Sequence, residues 1–155
     1  MRNQSSTKDG TNVPNHRLAF YRQLHLVESL EMPHALRSKE DQESIAAAKQ
    51  VALGELVQWR PDVAELYSKA DDDHVAIKTE KPSGRYLKHA LALSVRPIIQ
   101  NIVAFHLTGQ ESYARQSTRH LNAIMQRLAD QGWNSLYGFL TFMVEDLKNG
   151  AAVRE

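Results

Sequence analysis

Apolar residues recur along this chain at intervals of three and four, and the phase of that recurrence resets at a few prolines and glycines. Phe20, Leu24, Val27 and Leu30 stand 4, 3 and 3 residues apart, the spacing that lines up side chains on one face of an α-helix. The pattern begins at His16 and breaks at "EMPHA", where Pro33 disfavours the α conformation for Met32. Ser38 then offers an N-cap, with Asp41 three residues on in a capping-box arrangement. Glu40, Asp41 and Glu43 follow where a helix dipole favours negative charge. Ile45, Ala48, Ala52, Leu56 and Trp59 give this second helix its inner face. Pro61 ends it and suits the first turn of a short helix carrying Val63, Leu66 and Tyr67.

The next stretch, "SKADDDHVAIKTEKPSG" at 68–84, is charged and closes on Pro-Ser-Gly, which predicts a surface loop. "HVAI" at 74–77 is the strongest strand candidate and is too short to build a sheet. Beyond Arg85 the apolar positions are Leu87, Leu91, Val95, Ile98, Ile99, Ile102, Val103 and Phe105. They cover most of a helix circumference, which predicts a place in the middle of the molecule. Pro97 lies inside this run and predicts a kink or a split, at a cost of roughly 3 kcal/mol where nothing compensates.

Gly109 is expected to close that helix in the left-handed conformation. The following helix, 110–131, turns Tyr113, Ser117, Leu121, Ile124, Met125 and Leu128 inward and ends at Gly132. Asn134 or Ser135 is the expected cap of the last helix, whose stripe is Leu136, Phe139, Leu140, Met143 and Leu147. Short links predict consecutive antiparallel helical hairpins. The expected fold is therefore all-α: a single-domain bundle of five to seven helices over 16–150 with a central helix kinked at Pro97, a flexible tail at 1–15 and a C-terminal tail at 151–155.

A length of 155 residues suits one domain. A net charge of +1 gives no global attraction to nucleic acid, and none is expected as a partner. The absence of cysteine excludes disulfides, thiolate nucleophiles and thiolate-bound metals. No apolar run reaches membrane-spanning length, and "MRNQSSTKDGTNVPN" has no apolar segment of the signal-peptide kind. A cytoplasmic protein is the expectation.

Candidate chemistry is sparse. The histidines at 16, 25, 34, 74, 89, 106 and 120 form neither an H-x-x-x-H nor an H-E-x-x-H pattern, so no metal is expected. "DDD" at 71–73 has the wrong spacing for a calcium loop and reads as solvated charge. His106 follows Ile99, Ile102 and Val103 at helical spacing and is expected to face the core. Such a histidine could hold haem, although a ring nitrogen bonded within the core is the favoured role. No cofactor is predicted beyond that haem alternative.

A pocket beside Pro97, shared by His89 and His106, would suit a small ligand, because a kink frees backbone groups. Arg115, Arg119 and Arg127 form a basic strip that reads as a solvated face. No nucleophile elbow or phosphate loop is present, so an enzyme is the least favoured class. Tyr113, Trp133, Tyr137, Phe139, Phe142 and Val144 exceed what one core stripe needs. That excess predicts an interface on the C-terminal hairpin and a non-enzymatic regulatory or adaptor module that pairs with itself or with another protein. A ligand-binding helical sensor is the alternative.

The segment "IVAFHLTGQESYARQSTRHLNAIMQRLADQGWNSLYGFL" resembles the helical cap of cobalamin-binding regulatory domains, and the small helical N-terminal modules of bacterial stress-response regulators. "MPHALRSKEDQESI" with "LTGQESYARQ" is similar to the opening helices of polysaccharide lyases built as α/α toroids. These resemblances imply helical packing alone. Gln110 stands where the first pattern has an acid, and no catalytic Asn, His or Tyr motif of the lyases is matched. Neither cobalamin binding nor lyase residues are carried over.

Overall fold

A computed structural model describes the backbone of residues 14–31, 38–79 and 86–153, and the side chains of these except 77–94. The Pro33 interruption, nearly all of the expected N-terminal tail and the His89 side chain lie outside the described residues. The described chain is all-helical: α1 (His16–Glu31), α2 (Lys39–Trp59), α3 (Pro61–Thr79), α4 (Tyr86–Thr108), α5 (Glu111–Asp130) and α6 (Asn134–Asn149).

The six helices form one bundle around one core. α1 packs mainly on α2, α3 on α6 and α4 on α5, while α4 also touches α1, α3 and α6. That central position follows from its sequence. Val95, Ile98, Ile99, Ile102, Val103 and Phe105 are all buried, and they point in several directions around the helix axis. Each such side chain contributes roughly 1.5–3 kcal/mol by leaving water. α4 passes through Pro97 as one uninterrupted helix, with the proline exposed on its outer side. The ring is thus kept out of the core.

The boundaries have local causes. Ser38 Oγ accepts from the Asp41 N–H and the Asp41 carboxylate accepts from the Ser38 N–H, a reciprocal cap at the start of α2. α4 ends at Gly109, whose φ of 76° lets its N–H reach the Phe105 carbonyl. α5 ends in a Schellman motif. Gly132, with φ 87°, donates to Ala129, and Trp133 donates to Leu128.

One element corrects the sequence expectation. The stretch from Ser68 to Thr79, expected as the start of a loop, continues α3. Val63, Ala64, Tyr67, Ala70 and His74 are buried at helical spacing, and the Asp71–Asp73 run sits on the flank of that stripe. Three adjacent carboxylates hid an inner face made of small and polar residues. The "HVAI" strand candidate lies within the same helix. At the other end, residues 151–153 fold back: Val153 is buried and the Ala151 carbonyl accepts from Arg17.

Candidate functional site

His106 lies at a junction of α1, α4 and α6 and has no exposed surface. The Tyr21 ring stacks on it, with centroids 4.1 Å apart. Its Nδ1 meets the Arg17 guanidinium at 3.5 Å, and its Nε2 faces Asp146 Oδ2 at 3.4 Å, in contact rather than in a formed hydrogen bond. Arg17 can only donate, so Nδ1 is the acceptor and the proton sits on Nε2, towards the carboxylate. Burial lowers the His106 pKa to about 4, and Arg17 adds to this, outweighing the attraction of Asp146. The ring is therefore neutral at ordinary pH.

Asp146 Oδ2 also accepts from the Tyr21 hydroxyl at 2.7 Å and from Arg17 Nε at 3.1 Å. Burial, then the Asp146 charge, pushes the Tyr21 pKa well above its usual value, so the phenol stays a donor. Gly150 lets the guanidinium in, since a Cβ there would stand 2.5 Å from an Arg17 nitrogen. The junction is sealed. His106 is enclosed there, with Arg17 at Nδ1 and Asp146 facing Nε2.

A second polar group bridges α1, α2 and α3. Lys49 reaches Glu31 at 3.3 Å and Asp71 at 3.0 Å. Burial acts to lower the Lys49 pKa, but Asp71 and Glu31 together raise it, so the cation is held. Glu28, Glu31 and His74 are buried beside it and line a crevice with Tyr67 and Phe139. Burial, then Asp71, Glu28 and Glu31, raises the Tyr67 pKa. The cavity is about 20 Å³, room for a single water. No cluster of metal-ligating side chains occurs among the described residues.

Of the residues expected to share a ligand pocket, the two whose side chains are described, Pro97 and His106, are not brought together. Pro97 is exposed and His106 is sealed nine positions further along α4, roughly 13 Å away along the axis. The residues expected to form an interface pack, wholly or in part, within the chain. Phe139 and Val144 are buried, while Tyr113, Trp133, Tyr137 and Phe142 are half-buried against the core. Phe142 packs on Trp59 at 5.5 Å under the Arg60 guanidinium at 5.1 Å, and Phe139 packs on Tyr67 at 5.0 Å. The apolar excess of α6 has a structural cause: α3, α4 and α5 all lean on that helix.

The uncovered apolar side chains lie elsewhere. Among the described residues the exposed large ones are Leu26, Val51, Val57 and Val75, none of them on α5 or α6. Two stand on the outer face of α2 within "AAAKQVALGELVQ", residues 46–58. Its exposed positions are Ala46, Ala47, Gln50, Val51, Gly54, Val57 and Gln58, without a charge among them. The two charged residues of the segment turn aside into pairs, Lys49 as above and Glu55 with His16 at 2.6 Å. In the sequence this face is a charge-free surface from turn to turn, masked by the more apolar inner stripe of the same helix. Comparison of the chain with family models, with curated proteins and with solved structures returned no match.

Proposed function

We propose that this protein is a non-enzymatic module of regulatory or adaptor type that works by contact, pairing with a second copy of itself through the outer face of α2. One observation carries this: an exposed helix face about 18 Å long that holds two valines, Val51 at 47% and Val57 at 43% exposure, and no charge. A solvated helix face is ordinarily charged. Gly54 stands in the middle of the face with open space above it, so another helix can approach closely.

An antiparallel pairing is favoured because it opposes the two helix dipoles and can bring the two Gly54 positions together where the helices cross. The C-terminal hairpin supplies the scaffold in this reading rather than the contact, because its aromatic side chains are engaged within the subunit.

The cysteine-free chain makes the test direct. A Gly54→Cys variant is expected to form a disulfide-linked dimer rapidly under mild oxidation, whereas cysteine at exposed Asp72 on α3 does not. Equal rates at the two positions, or no dimer from Gly54→Cys, contradict the proposal.

A further inference from the structure

Glu55 borders the uncharged face of α2. It follows Gly54 directly and stands one turn from Val51, with 29% of its side chain exposed. Its partner is His16 in the first turn of α1, 31% exposed, whose Nδ1 lies 2.6 Å from Glu55 Oε1. A contact that short needs a hydrogen on Nδ1, and both the neutral Nδ1–H tautomer and the imidazolium supply one. The pair can therefore change its net charge without coming apart. It is neutral with an imidazolium and carries one negative charge with a neutral ring.

The charges around the pair are matched elsewhere. Arg17, beside His16 on α1, is turned to Asp146 and the Ala151 carbonyl. Lys49 on α2 is held by Glu31 and Asp71, and Arg60 at the end of that helix makes two hydrogen bonds to Asp62. Among the described residues, His16 and Glu55 each have one charged partner, and it is the other. The net charge on the flank of the face thus follows the protonation of one imidazole, the side chain that changes charge near neutral pH.

A two-fold antiparallel crossing at Gly54 places the Glu55 of each copy one residue from the crossing point and on the same side of it. With helix axes about 8–10 Å apart, the two positions stand roughly 10 Å from each other. Two uncompensated carboxylates at that separation repel, and two neutral pairs do not. We infer that the dimer is proton-linked: an imidazolium at His16 of each copy favours pairing through α2, and loss of that proton weakens it. This linkage rests on the α2 pairing proposed above and adds its regulation.

The test is the dimer dissociation constant of the full chain at about pH 5.5 and about pH 8, in low salt so that the repulsion is little screened. Wild type should dimerise at least about threefold more weakly at the higher pH. Glu55→Gln removes the anion, so the weakening on going to about pH 8 should disappear. His16→Lys keeps a cation beside Glu55 at both pH values and should retain the tighter affinity at about pH 8. The two variants change opposite partners, so a shared packing defect does not imitate both results. Far-ultraviolet circular dichroism at both pH values confirms that each protein is folded. A wild-type dimer of equal affinity at the two pH values, or one weaker at about pH 5.5, would overturn the proton linkage and leave the α2 pairing standing. A pH dependence that persists unchanged in Glu55→Gln would overturn its assignment to this pair. A wild type that is monomeric at both pH values would overturn the α2 pairing itself and the linkage with it.

Discussion

Oδ2 of Asp146 meets three groups at once: the Tyr21 hydroxyl, the Arg17 guanidinium and the His106 ring. Arg17 and Tyr21 stand one turn apart on α1 and His106 on α4, so this oxygen ties α1, α4 and α6 together. His106 gives the junction a pH dependence with a definite sign. Its pKa falls from an unfolded value of 6.5 to about 4 in the fold, so the unfolded chain takes up the proton first. Stability is therefore lost as pH falls from about 6.5 towards about 4, and no more is lost through this group below that. Between about pH 7.5 and about pH 5 the loss due to His106 should be on the order of 2 kcal/mol. Urea unfolding of the wild type and of His106→Gln at both pH values should show this portion of the slope removed in the variant. Equal slopes in the two proteins would contradict a buried neutral imidazole.

At the scale of elements, α6 gets its cap from a distant helix. The N-cap position is Trp133, whose side chain makes no capping bond, and Asp73 on α3 accepts from the Leu136 N–H at 3.0 Å. A carboxylate at this point both satisfies an N–H of the first turn and sits at the positive end of the helix dipole. Asp73→Ala should cost about 1–2 kcal/mol in thermal or chemical unfolding, while exposed Asp72→Ala should change stability by less than about 0.5 kcal/mol. Equal effects at the two positions would exclude the long-range cap.

The same residue shows why part of the structure could be read from the chain and part could not. Ser38 and Asp41, Gly109, Gly132 and the all-round apolar character of α4 act within one or two turns, so they were legible. Asp73 acts across 63 positions and looked like one member of a solvated triplet. Glu28 and Glu31 are buried, and Lys49, brought to Glu31 from another helix, helps to explain how Glu31 can be. Sequence spacing rightly turned His106 to the core, but it could not tell a binding histidine from one enclosed by Arg17, Tyr21 and Asp146. Nor could it tell an interface on the C-terminal hairpin from contacts of α6 with α3, α4 and α5. A helix with three neighbours needs apolar side chains on several sides, and one with a partner outside the subunit shows the same sequence.

For the whole molecule, the balance of faces decides what remains to be covered. α5 and α6 turn charged or half-buried side chains outward, with no large apolar residue left exposed on them. Among the described residues, α2 alone presents a face of seven exposed positions between Ala46 and Gln58 with no charge. Burying two valines there from each copy, four in all, would contribute a few kcal/mol of driving force, about 1–2 kcal/mol for each further-buried side chain. Association costs of comparable size oppose this. A reversible dimer in the micromolar range is the expectation, and it should be abolished by an acid placed on the face.

Sedimentation equilibrium of the wild type and of the double variant Val51→Glu, Val57→Glu tests the central claim most directly. The account predicts a mass moving from 17.6 kDa towards twice that value as wild-type concentration rises through the micromolar range. The variant should stay monomeric at every concentration, with an unchanged circular dichroism spectrum. A wild type that remains monomeric at high micromolar concentration, or a variant that dimerises as the wild type does, would contradict it.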